Sequence, residues 1–207
     1  MFKYSHMDRS DIVPKGFTET EKERIITILR EEGQKLFVSH GIKKVTIDEL
    51  ASAAHIAKGS FYSFYQTKEE LFLDISTYYQ QKLFNDLESI LSFDNYSDKK
   101  KVFLFLKTAL EKLTEYPLLG MVNSEIIELL YRKLPQEKVD AELKSDILRL
   151  EIFKNHKIRF NYPHPIVAKV FQKAMIACIQ NQSDSDNSII TDILLQSIVE
   201  KVVKDYE

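Results

Sequence analysis

The chain has 207 residues, with 29 Lys+Arg against 31 Asp+Glu and a formal net charge of -2. A near-neutral chain cannot coat a polyanion by bulk charge, so any nucleic-acid binding must come from a local patch. Its one cysteine, Cys178, excludes an internal disulfide and suits a cytoplasmic protein, no apolar run is long enough to span a bilayer, and the first residues lack the apolar core of a signal peptide.

Residues 1–17 carry mixed charges with Pro14 and Gly16 and read as a loosely attached extension. Lys3, Arg9 and Lys15 are too sparse for a basic arm entering a minor groove. A first helix opens at Thr18, where Thr18 with Glu21, or Thr20 with Glu23, can form a capping box. Ile25, Ile26, Leu29, Leu36 and Phe37 recur at helical spacing. Gly33 on the same face permits close approach of another helix. Gly41 ends the helix, with Ile42 as the contact that follows such a C-cap.

Two short helices come next. Thr46-Ile47-Asp48-Glu49 has the Thr-x-x-Glu form of a capping box, and Thr67-Lys68-Glu69-Glu70 repeats it at the start of a later helix. Ile47, Leu50, Ala51 and Ala54 form an inner stripe, and His55-Ile56-Ala57 is a turn. A helix over Lys58–Tyr65 follows, with Phe61 and Phe64 inward and Ser60, Tyr62 and Ser63 outward. Two short helices joined by a few residues read as a helix-turn-helix. The cation, hydroxyls and aromatics of the second are groups that meet phosphates and base edges.

From Thr67 a long helix runs to about Leu91, too long to serve only a small N-terminal bundle. Further helices are expected from Ser97 to about Glu115, over about 121–133, from Pro135 to about His156, from Ile166 to Cys178 and from Ser188 to Lys204. The Val102–Leu106 run is apolar nearly all round, which argues deep burial. In the last helix Ile189, Ile190, Ile193 and Leu194 cluster on one side, and Ile198, Val199, Val202 and Val203 roughly opposite. A helix apolar on two sides needs two covers: the core of its own chain and, on this reading, a second copy.

Three stretches together, LFVSHGIKKV, TIDELASAAHIA and KGSFYSFYQTKEELFLDI, resemble the tetracycline-repressor (TetR) family of bacterial transcriptional regulators over about residues 19–78. The resemblance implies an all-α homodimer of about nine helices. An N-terminal three-helix helix-turn-helix domain, residues 18–78, would bind double-stranded operator DNA. Residues 79–207 would form a helical domain for effector binding and dimerisation. By the same resemblance Thr46, Lys58, Tyr62 and Lys68 meet the DNA backbone, while Gly59, Ser60 and Ser63 meet bases. Lys43 and Lys44 add nearby charge. Two positions depart from the family: His55 stands where Gly is common, and Ala57, where Ser or Thr is common, cannot cap the recognition helix.

The implied function is a ligand-released repressor on a near-palindromic operator. The alternative is an activator, or a regulator controlled by a protein partner. The sequence has no glycine-rich phosphate loop, no metal-ligand spacing and no nucleophile elbow, so an enzyme, a metal and a cofactor are not expected. Candidate effector contacts are Phe103, Tyr116, Met121, Asn123, Glu125, Tyr131, Phe153, Phe171 and Met175. Their aromatic and thioether groups suit an apolar molecule, and Glu125 would suit a cationic one.

Overall fold

A computed structural model describes residues 16–141, 150–180 and 186–205. Residues 1–15 of the expected extension, the middle of the 135–156 helix and most of the 180–187 break lie outside these. Among the described residues the regular structure is helical, apart from one isolated antiparallel bridge between Phe160 and Val203.

The helices are α1 (Glu19–His40), α2 (Ile47–Ala53), α3 (Lys58–Phe61), α4 (Lys68–Leu91), α5 (Asp98–Lys112), α6 (Pro117–Gly120) and α7 (Ser124–Lys133). After them come α8, helical over 136–141, then α9 (Glu151–Asn155), α10 (His164–Gln180) and α11 (Asn187–Val202). The eleven segments exceed the nine expected for two reasons. Pro117 starts a single extra turn, α6, and the expected helix from Pro135 has Leu150 in a turn just before α9.

The caps set the boundaries. Thr18 and Glu21 form a reciprocal capping box, as do Thr46 and Glu49. Thr67 accepts the Glu70 N–H at 3.1 Å, but the Glu70 carboxylate turns elsewhere. At Gly41, φ is 78°, a left-handed conformation that glycine adopts freely, and Ile42 behind it is buried. A Cβ on Gly33 would lie 3.0 Å from Ile75 Cδ1 and 3.3 Å from Leu71 Cδ2. The bare glycine therefore lets α4 cross α1 closely.

Two apolar cores result. One is built from the second half of α4 with α5, α9, α10 and α11 around Leu87, Phe105, Phe153 and Leu195. The other holds Leu29 and Phe37 of α1, Leu50 of α2, Phe61 of α3 and Phe72 of α4. It also takes in Leu118, Ile126, Leu129, Leu130, Leu134 and Val139 from the segment 117–139. That segment lies far beyond residue 78, yet it packs with the N-terminal helices.

The two expected apolar sides of α11 fare differently, with Leu194 and Ile198 partly buried against the C-terminal core. Leu195, Val199, Val202 and Val203 are buried, while Ile189, Ile190 and Ile193 are 64, 48 and 60% exposed.

Candidate nucleic-acid interface and effector cavity

α3 has four residues rather than the expected eight, and Tyr62 to Phe64 continue as hydrogen-bonded turns, with Ser63 N–H donating to Ser60 O and Phe64 N–H to Phe61 O. The sequence gives the reason. Ala57 makes no side-chain cap bond, and Gly59 is a poor helix former. Tertiary contacts then hold what helix propensity does not. Phe61 is fully buried, Phe64 packs on Phe17 with ring centroids 5.5 Å apart, and the Tyr65 hydroxyl donates to Asp74 at 2.7 Å. The packing of Phe17 went unread in the sequence, because it sits in a stretch that looks like a loose extension.

Gly59, Tyr62 and Ser63 form an exposed face beside the half-buried Ser60. A Cβ on Gly59 would meet nothing within 4 Å, so the protein's own packing does not demand a glycine there.

Three of the four candidate cations are engaged inside the protein. Lys58 Nζ donates to Asp48 Oδ2 at 2.7 Å, and that hydrogen bond, with the carboxylate charge behind it, raises the lysine's pKa. Lys43 pairs with Glu125. Lys68 Nζ donates to the backbone oxygens of Lys43 at 3.0 Å and Val45 at 2.6 Å, clasping the loop that leads into Thr46. An ammonium has three donors, so Lys68 retains one for a phosphate. The Thr46 N–H and hydroxyl both donate to Glu49 Oε2 at 2.8 Å, which lowers the Glu49 pKa. His55, in the turn, is exposed at φ 56°. Its left-handed backbone is the kind of position where glycine is favoured.

A cavity of about 280 Å³ lies between α4, α5, α7, α8, α9 and α10, at the seam of the two cores. Phe72, Leu130 and Val139 reach it from the N-terminal core, and Leu87, Phe105 and Phe171 from the other. Among the described residues, the polar groups lining it are Ser76, Gln80 and Gln172, none of them charged.

Of the nine expected effector contacts, Phe153, Phe171 and Met175 line this cavity. The other six do not, and each has a local reason. Phe103 points to the far side of α5 under Lys100 and Lys107. The Tyr116 hydroxyl donates to Asp86 at 2.6 Å, and burial followed by that bond raises its pKa to about 12. Met121 ends α6. Asn123 caps α7 by accepting the Ile126 N–H at 3.0 Å. The Tyr131 hydroxyl donates to Asp140 at 2.8 Å on the surface. Glu125 is 64% exposed and paired with Lys43, so it offers no buried charge to a cationic ligand. The lining residues Leu73, Ser76, Gln80 and Phe84 were missed in the sequence. They form a second helical stripe along α4, beside the core stripe of Leu71, Phe72 and Ile75.

Among the described residues no helix is long and apolar enough to cross a membrane, and no group of three or more His, Cys, Asp or Glu side chains could hold a metal ion.

Residues 29–75 match the family model described as bacterial regulatory proteins, tetR family. The chain is 36% identical over 70 residues to the HTH-type transcriptional regulator YuxN of Bacillus subtilis. That match covers 34% of this chain and 23% of YuxN, so the chain spans less than a quarter of that relative's length. Among solved structures, the fatty acid degradation regulator FadR from Bacillus halodurans aligns with a TM-score of 0.60 at 14% identity, covering 88% of this chain and 96% of that one. The transcriptional regulator FadR from Bacillus subtilis in complex with stearoyl-CoA aligns with a TM-score of 0.57 at 15% identity, covering 86% and 97%. These structural likenesses extend the common fold past the helix-turn-helix to nearly the whole chain, and the matched family and relatives are transcriptional regulators rather than enzymes. Residues 29–75 thus carry a helix-turn-helix that matches the tetR family of bacterial regulatory proteins, and nearly the whole chain shares its fold with regulators of known structure.

Proposed function

We propose that the chain is a dimeric repressor that leaves its operator when a small apolar molecule fills the cavity between its two cores. Residues 18–78 read DNA, and residues 79–207 bind the effector and dimerise. The recognition segment lies in the major groove, with Gly59, Ser60 and Ser63 toward base edges. Thr46, Lys58, Tyr62 and Lys68 meet phosphates on either side. Lys58 exchanges Asp48 for a phosphate on binding, and such phosphate neutralisation supplies most of the affinity.

The observation that carries the effector half of this reading is the cavity. Its described lining is apolar and uncharged and comes from both cores, so an occupant can alter how one core sits on the other. A volume of about 280 Å³ is at the small end for ligand pockets. The uncharged lining selects against a cationic ligand, because a buried charge without a partner is costly. The stearoyl-CoA held by the Bacillus subtilis regulator of the same fold supports an apolar chain as the general kind of occupant. The exposed Ile189, Ile190 and Ile193 of α11 supply the surface for a second copy, and two copies match a near-palindromic site.

The test is selection of binding sites from a random duplex pool, followed by salt titration of the enriched site. Lys58→Ala should weaken binding to all sequences and reduce the magnitude of the salt slope by about one, whereas Ser63→Ala should change which sequence is preferred. Apolar compounds with one uncharged polar head should release the complex. A wild-type chain that enriches no sequence would overturn the reading.

A further inference from the structure

Three helix N-caps of this chain carry the same Thr-x-x-Glu signature, at Thr18, Thr46 and Thr67. In the first two the glutamate turns back onto the N-cap N–H and closes the box. In the third it does not. One oxygen of Glu70 accepts the Gln66 N–H at 2.7 Å, and the other takes the ammonium of Lys138 from α8. The Glu70 side chain is only 19% exposed.

Gln66 follows directly on the recognition segment. Its Nε2 donates to the backbone oxygen of Tyr62 at 3.3 Å. A continuous series of bonds therefore runs from Lys138 through Glu70 and Gln66 to Tyr62. On the other side of the same turn, the Tyr65 hydroxyl is held by Asp74, and Asp74 is held by Arg30 of α1. The turn closing the recognition segment is thus fixed by two carboxylates of α4: Asp74, bound by Arg30, and Glu70, bound by Lys138, whose charge also reaches Asp74. Arg30 belongs to the helix-turn-helix unit. Lys138 comes from outside it, next to Val139, which packs in the N-terminal core and lines the cavity.

A four-residue helix without a cap cannot hold its own orientation, because a single turn fixes many dihedrals for very few bonds. We propose that Lys138 is a positioning residue for DNA reading: it sets the Tyr65-Gln66 turn through Glu70, and it makes the recognition segment answer to the position of α8. This rests on the DNA-reading role of residues 58–63. Lys138 does not touch DNA. It fixes the angle at which Ser60, Tyr62 and Ser63 are presented, so its loss acts on discrimination between sequences rather than on general attraction to phosphate.

The experiment compares wild type, Lys138→Ala, Lys138→Arg and Lys138→Ala/Glu70→Gln on two duplexes: the site enriched by the wild-type chain and a shuffled version of it. Lys138→Ala should lose about two- to fivefold in affinity for the enriched site, the range of a single solvent-accessible ion pair. Its affinity for the shuffled duplex and its salt slope should be unchanged. Lys138→Arg should restore the loss, and adding Glu70→Gln should cost nothing further. Equal losses on both duplexes with a shallower salt slope would make Lys138 a phosphate contact and overturn the proposal, as would wild-type discrimination in Lys138→Ala. Failure of the wild-type chain to enrich any sequence would instead remove the DNA-reading role on which the proposal rests. Thermal melting of each variant separates these effects from unfolding.

Discussion

Arg30 and Asp74, forty-four residues apart, meet in a two-pronged fork: Nε donates to Oδ2 at 2.8 Å and a terminal nitrogen to Oδ1 at 2.9 Å. The guanidinium also lies over the Tyr78 ring, 4.7 Å from its centroid. The fork ties α1 to α4, and the Tyr65 hydroxyl on the same carboxylate brings in the end of the recognition segment. Burial pushes the Asp74 pKa up. The hydrogen bonds from Arg30 and Tyr65, with the charges of Arg30 and Lys138, outweigh it, and the net pKa is lowered.

That lowered pKa fixes a pH dependence. A carboxylate depressed by folding stabilises the native state above its unfolded pKa, and the contribution fades as pH falls through the folded one. Asp74→Asn should therefore cost about 1–3 kcal/mol at neutral pH, the usual range for a broken charged hydrogen bond. The difference from wild type should shrink in acid, below about pH 4. Urea melts at pH 7 and pH 3 check this. An undiminished deficit at pH 3 would mean the fork contributes shape alone.

His55 holds a left-handed backbone in the turn between α2 and α3. A residue with a Cβ is strained there by about 1–2 kcal/mol, part of which glycine returns as extra chain entropy in the unfolded state. His55→Gly should stabilise the protein by about 0.5–1 kcal/mol on that balance. Thermal unfolding reads the gain directly. A lower melting temperature would show that the exposed imidazole makes a contribution larger than the strain.

On α11, Ile193→Lys places a charge in the middle of the exposed isoleucines. If these pack against a second copy, sedimentation should show a monomer while the helix content stays at the wild-type value. Affinity for a two-half-site duplex should fall toward that for one half-site. A variant that remains dimeric would move the interface elsewhere.

Ala109 is buried and borders the cavity. Ala109→Leu adds methylenes to empty space rather than to a packed core, so it should raise stability by about 1 kcal/mol instead of costing the 1–3 kcal/mol typical of overpacking. The variant should also take up less of a fluorescent apolar probe and hold its duplex in the presence of releasing compounds. Calorimetry and probe titration test the two halves separately.

The helix-turn-helix was readable because its signals are local. Thr46 and Glu49, Gly41 and Ile42, and Phe61 and Phe64 lie within a few residues of one another, and each acts through its own turn of backbone. Even so, the length of α3 was overestimated, since periodicity does not register a missing cap and an early glycine. The cavity was read only in part. The same Leu, Phe and Met side chains fill a core or line a void, and which they do is decided by helices distant in sequence. Phe153 and Phe171 fell on the cavity, while Phe103 faced the other way on a helix apolar nearly all round. The pairs Lys43–Glu125 and Lys138–Glu70 join residues 82 and 68 positions apart, with surface-type residues that no pattern singles out.

The segment 117–139 falls within the residues expected to form the effector-binding and dimerisation domain, and its leucines pack in the N-terminal core. This bears on how such regulators can be cut and recombined. A fragment ending near residue 78 would expose the faces of Leu29, Phe72 and Ile75 that α6 to α8 now cover. A hybrid joining this head to a foreign sensor would set mismatched side chains against them. The transplantable unit is discontinuous: residues 18–78 together with 117–139, connected through the second half of α4 and through α5, which belong to the other core.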